Sequence, residues 1–199
     1  MMGYFPLCVD LCGADVILIG EGAAARSKLE ILLSFGAEVW LFSDSLADWA
    51  NHPQIRLQTH SFEARDLETR PALVVAADTA DAEWISGLCR DRGIPVNVVD
   101  VPSLCTFYFP SLINRGDLTV AVSTGGKSPA AAVYLRRKFE EQIPAHTEEI
   151  LDWAQELRQM LRREHPEADR KRVMRQAVAQ AMELDRPLTD DEVLAILRS

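Results

Sequence analysis

The sequence predicts an α/β fold in which a parallel sheet carries helices on both faces. Three observations predict it. Short apolar runs rich in β-branched residues stand at DVILIG (residues 15–20), LVVAAD (73–78) and PVNVVD (95–100). Helical spacing fills the intervals between such runs, and glycines or prolines mark their boundaries. Strands that are apolar throughout imply burial on both faces, and right-handed crossovers then give a doubly wound sheet.

The elements follow in order. Residues 15–20 read as the first strand. AAARSKLEILLSF (23–35) repeats apolar or small residues at helical spacing, with Gly36 as its stop. EVWLF (38–42) is a second strand, closed by Ser43-Asp44-Ser45, and IRLQTH (55–60) a short third. LVVAAD is the fourth. A helix from about Ala80 to Arg92 stops at Gly93, and PVNVVD is the fifth strand. The pattern changes after Cys105, where FYFPSLINRGDLTVAVSTGG predicts a hairpin turning at Asn114-Arg115-Gly116-Asp117. A helix from Pro129 to about Gln142 follows, and residues 146–199 read as helices with stops near Pro166 and Pro187. The expected organisation is a Rossmann-like domain over 1–112, a hairpin-and-helix segment over 113–145 and a C-terminal helical domain over 146–199. A lone hairpin is marginal unless it packs on something, so this segment is the expected dimer element.

Composition narrows the functional classes. The chain has 199 residues, 48% hydrophobic and 26% charged, enough for a sizeable core. Its net charge of −9 argues against nucleic acid and anionic membranes as partners. No apolar run is long enough for a membrane helix, and MMGYFPLCVDLCG lacks the pattern of a signal peptide, so a cytoplasmic location is expected. Cys8, Cys12, Cys89 and Cys105 are scattered without a CxxC pair and read as reduced thiols. His52, His60, His146 and His165 form no ligand pair, so no resident metal is expected.

Gly20-Glu21-Gly22-Ala23-Ala24-Ala25 fits G-x-G-x-x-[GA] between a strand and a helix. The first glycine permits the tight turn, the second lets a pyrophosphate approach the backbone, and N–H groups at the helix start attract the anion. Asp44, at the end of the second strand, is placed to accept hydrogen bonds from ribose hydroxyls and to repel a 2′-phosphate. The expected cofactor is therefore NAD, held by Gly20, Gly22, Ala23, Ala24, Asp44 and Ser45, with Asp78 bordering the adenosine side.

Two longer stretches, YFPLCVDLCGADVILIGEGAAARSK and VNVVDVPSLCTFYFPSLINRGDLTVAVSTGGKSP, together with the helical tail, resemble the precorrin-2 dehydrogenase/sirohydrochlorin ferrochelatase family of sirohaem biosynthesis. The likeness covers residues 4 to about 140 well and the tail loosely. It implies an NAD-binding domain, a central dimerisation segment and a helical domain. It also implies oxidation of precorrin-2 to sirohydrochlorin by NAD in a homodimer, with Fe2+ insertion in some members. The aspartate closing the NVVD strand, here Asp100, is then the catalytic residue. At a strand's carboxyl end it is placed to act as general base. Asn97 would fix the loop beside the nicotinamide. Thr124, Gly125, Gly126, Lys127 and Ser128, with Arg115, would meet the carboxylates of the tetrapyrrole, and Arg136 and Arg137 are further cations. Ser128 equally suits a helix N-cap ahead of Pro129. Two departures stand out. Glu21 replaces the middle of three glycines, and Ser27-Lys28 stands where relatives often carry Arg-Lys. The competing expectation is a non-catalytic module that senses NAD or carries a tetrapyrrole.

Overall fold

The computed structural model describes residues 4–44, 47–49, 51–165, 167 and 169–198. It divides into two compact units, Met1–Phe109 and Pro110–Ser199.

The first unit is a five-stranded parallel sheet. Its strands are β1 (Asp15–Gly20), β2 (Glu38–Phe42), β3 (Ile55–Leu57), β4 (Leu73–Ala77) and β5 (Val96–Val98). They lie in the order β3-β2-β1-β4-β5, the order of a doubly wound nucleotide-binding sheet. Helix α1 (Gly22–Ser34) links β1 to β2, and α2 (Ala82–Asp91) links β4 to β5.

Successive strand residues point to opposite faces. Val16, Leu18 and Val75 join Leu29 and Leu32 of α1 in one core, whereas Ile17, Ile19, Val74 and Ala76 join Ile85 and Cys89 of α2 in the other. This two-sided burial is why β1 and β4 read as unbroken apolar runs. Truncating a fully buried residue such as Leu29 to Ala would cost about 2 to 5 kcal/mol.

Several predicted edges move. β3 stops at Leu57 rather than running to His60, and β5 stops at Val98, because Val101 N–H folds back to the Val98 carbonyl at 3.3 Å. Helix α2 begins at Ala82, two residues after the expected start.

In the second unit, β6 (Ser111–Arg115) and β7 (Leu118–Val122) form an antiparallel hairpin. Gly116 and Asp117 make its turn. Gly116 has φ 54° and Asp117 does not share the positive sign, the pattern of a type II′ turn. Helix α3 (Pro129–Glu140) packs on the hairpin. Helices α4 (Thr147–Glu164), α5 (Arg170–Leu184) and α6 (Asp190–Arg198) enclose their own core, including Ile150, Leu157, Leu161, Val173 and Ala177. The apolar face of α4 is thus buried among these helices. Among the described residues no helix is long and apolar enough to cross a membrane.

Candidate functional site

The site is built at the carboxyl edge of the parallel sheet. β1 ends at Gly20 with φ 133°, and a Cβ there would lie 1.6 Å from the Ala77 carbonyl oxygen. Only glycine permits β1 and β4 to close so tightly. Glu21 N–H donates to that carbonyl at 3.2 Å, and Gly22, with φ 70°, opens α1. The Glu21 side chain does not cap the helix, so α1 begins with backbone N–H groups and a positive dipole end, with Ala23 exposed and Ala24 part-buried. This cradle fits a pyrophosphate.

Glu21 turns instead toward the end of β2. Its carboxylate accepts from Asp44 N–H at 2.9 Å and from the Ser43 hydroxyl at 3.1 Å. The Asp44 carboxylate stays exposed. Ser45, expected to assist it, lies outside the described residues. Asp78, just past β4, has φ 51°, and its carboxylate is 3.7 Å from where a Gly22 Cβ would sit.

Asp100 follows β5 with φ 63° and an exposed side chain. The loop that carries it is tied down from several sides. Ser86 donates to the Leu104 carbonyl at 2.7 Å, and Arg90 donates to the carbonyls of Ser103 and Cys105, each at 3.2 Å. The Cys105 thiol lies 3.1 Å from the Val98 carbonyl and accepts from Val98 N–H at 3.2 Å. Burial raises the pKa of that thiol, against smaller lowering effects of the Val98 bond and Arg90. The Tyr108 hydroxyl donates to the Pro102 carbonyl at 3.1 Å. Asn97, buried in β5, directs its amide to the Phe107 carbonyl at 3.0 Å and so fixes the return of this loop.

Lys28 of α1 lies in the electrostatic field of Asp100. Burial lowers its pKa, and the aspartate raises it by a smaller amount. Its ammonium sits 4.6 Å from the Phe109 ring centre, a cation–π contact. The sheet topology therefore brings Gly20, Gly22, Asp44, Asp78, Asp100 and Lys28 to one edge. Sequence reasoning missed the Lys28–Asp100 relation, the Ser86–Arg90 clamp and the Glu21 bridge. Lys28 stood out in the sequence only through the Ser27-Lys28 pair, and nothing local announced its partner.

The second unit holds the other candidates. Thr124, Gly125, Gly126, Lys127 and Ser128 form the turn before α3, with Gly125 and Gly126 at φ 61° and 78°. Ser128 caps α3 by accepting from Ala131 N–H at 3.2 Å, and Lys127 is exposed. Arg115 donates to the Ile143 and Pro144 carbonyls, both at 3.3 Å, which fastens the hairpin to the segment after α3. Arg136 pairs with Glu140, one turn along α3. Among the described residues no group of three His, Cys, Asp or Glu side chains is placed to hold a metal.

Residues 7–111 match the model of a family described as putative NAD(P)-binding, and residues 115–142 match that of the sirohaem biosynthesis protein central segment. The siroheme synthase of Methylococcus capsulatus is 39% identical over 171 residues, covering 83% of this chain and 36% of that protein. The siroheme synthase of Nitrosomonas eutropha is 35% identical over 178 residues, covering 86% and 37%. The chain thus spans little more than a third of the length of these relatives. A solved structure of SirC, precorrin-2 dehydrogenase, shares the fold, with a TM-score of 0.67, 18% identity and 98% of both chains covered.

Proposed function

We propose a reaction for this chain, which belongs to the putative NAD(P)-binding family: the NAD-dependent oxidation of precorrin-2 to sirohydrochlorin, a step of sirohaem biosynthesis. The observation that carries the proposal is the convergence of Gly20, Gly22, Asp44 and Asp100 on one sheet edge. The names of the siroheme synthase relatives supply the substrate class.

Gly20, Gly22, Ala23 and Ala24 would hold the pyrophosphate, and Asp44 the ribose hydroxyls, which favours NAD over NADP. When bound, the nicotinamide supplies a hydride acceptor. Oxidation of the macrocycle breaks a C–H bond with its electron pair and releases a proton, and Asp100 accepts that proton. Lys28 places a cation in electrostatic range of this base. Asn97 and Arg90 hold the loop and so the position of the base. In the second unit, Thr124, Gly125, Gly126, Lys127 and Ser128 offer N–H, O–H and ammonium donors of the kind carboxylates need, and we assign them to the substrate's carboxylates. Arg115 joins them through the guanidinium face not committed to Ile143 and Pro144.

We assign residues 1–112 to cofactor binding, 113–145 to dimerisation and 146–199 to the helical domain. Helix α3 exposes Val133, Tyr134, Leu135 and Phe139, an apolar surface that a second copy would cover. Cys8, Cys12, Cys89 and Cys105 are free thiols, which suits a reducing cytoplasm. Fe2+ would be a second substrate, with Asp100 taking the pyrrole protons.

The test is incubation with NAD+ and precorrin-2 without metal. NADH and sirohydrochlorin should form together and stop in Asp100→Ala while NAD+ still binds. Tight NAD+ binding without turnover would instead identify a nucleotide-sensing module. Adding Fe2+ to the active protein then tests chelation.

A further inference from the structure

The Glu21 carboxylate occupies an unusual place. It stands at the x position of the glycine loop with extended backbone (φ −126°, ψ 167°), yet it does not cap α1. It crosses to the end of β2 and accepts from the Ser43 hydroxyl and the Asp44 N–H. Those are the kind of donors a strand end at this place would offer to a phosphate on the adenosine ribose. The Asp44 carboxylate stands exposed beside them. The cation nearest in sequence, Arg26 of α1, donates to Asp48 at 2.9 Å and lies 5.6 Å from the centre of the Trp49 ring.

We infer that Glu21 is a specificity-determining residue, which together with Asp44 excludes nucleotides phosphorylated at the 2′ position and leaves the unphosphorylated ribose as the preferred ligand. Two effects act in the same direction. The carboxylate consumes donors that a phosphate would need, and it adds a second negative charge where that phosphate would lie. A ribose hydroxyl is itself a donor and suffers neither effect. Arg26, which could otherwise meet the phosphate, is directed to Asp48. The inference rests on the dinucleotide site proposed above and names the residue that sets its selectivity.

The experiment measures NAD+ and NADP+ dissociation constants for the full chain and for Glu21→Gln and Glu21→Gly. Glutamine keeps the length and an acceptor oxygen but removes the charge, whereas glycine also frees the Ser43 and Asp44 donors. Wild type should prefer NAD+ at least 100-fold. Glu21→Gln should narrow that ratio at least tenfold by tightening NADP+, and Glu21→Gly should narrow it further, with NAD+ affinity changed less than threefold in both. An unchanged ratio in both variants, or equal weakening of the two nucleotides, would overturn the inference while leaving the dinucleotide site intact. Wild type that binds neither nucleotide would overturn both.

Discussion

Asp78 and Asp100 hold matched positions on neighbouring strands. Ala76 pairs with Val98 across β4 and β5, and each aspartate lies two residues beyond its member of that pair. Both have left-handed backbone, with φ of 51° and 63°. Non-glycine residues rarely sit there, and such strain concentrates where a side chain must be aimed for use. Both strands thus end in the same way, delivering two carboxylates to the edge where α1 begins. Asp78 faces the Gly22 side of the loop, and Asp100 lies in the field of Lys28.

Asp100 should trade stability for activity. Asp100→Gly relieves the left-handed strain and should raise the unfolding free energy by about 0.5 to 1 kcal/mol. The same change should lower kcat at least 100-fold, since the proposed base is gone. Denaturant unfolding and NADH release measure the two effects. Retained turnover would remove Asp100 from the chemistry.

Gly20→Ala should disrupt the first unit. The added methyl group meets the Ala77 carbonyl at 1.6 Å, and both atoms belong to tightly paired strands. The expected loss is about 3 kcal/mol or more, with NAD+ binding lost as the loop moves. Thermal unfolding checks the first, calorimetric titration the second.

Arg90→Met keeps the aliphatic stem and removes the donors to Ser103 and Cys105. Stability should fall by about 1 to 2 kcal/mol. Loosening the loop should lower kcat several-fold with NAD+ affinity unchanged. Hydrogen exchange should quicken at residues 101–106. An unaltered exchange pattern there would show that the clamp does not hold the loop.

Lys28→Met tests the electrostatic partner of Asp100. Methionine retains apolar contact with Phe109 and removes the charge. The folded protein should be no less stable at neutral pH, because burying the ammonium is itself costly. kcat should nonetheless fall about tenfold. Equal activity in the variant would show that Asp100 needs no cation beside it.

Cys89 should make the protein sensitive to alkali. Burial pushes its pKa up to about 11 from 9.0, against a smaller opposite effect of Arg92. The folded state therefore holds the proton more tightly than the unfolded chain. Its stabilising contribution is complete below about pH 9 and is lost as pH rises toward 11. The loss is on the order of 2 to 3 kcal/mol. Unfolding curves between those pH values should show it, and Cys89→Ala should flatten it.

What the sequence determined by itself was the frame. Strands buried on both faces must be apolar throughout, so β1, β2, β4 and β5 were legible, as was α1 from its helical spacing. The glycine loop itself was also legible locally, as a turn between adjacent elements, although what forbids any side chain at position 20 is the Ala77 carbonyl of β4, a tertiary neighbour. Tertiary structure alone decided the partners. Glu21 and Asp44 are 23 residues apart, and Arg90 and Ser103 are 13 apart. Lys28 and Asp100 are brought within electrostatic range only by the β3-β2-β1-β4-β5 order. Periodicity reports which face a residue buries, since it acts over a few neighbouring positions. It carries no information on which distant side chain meets a polar group there, because chain topology and loop closure settle that choice.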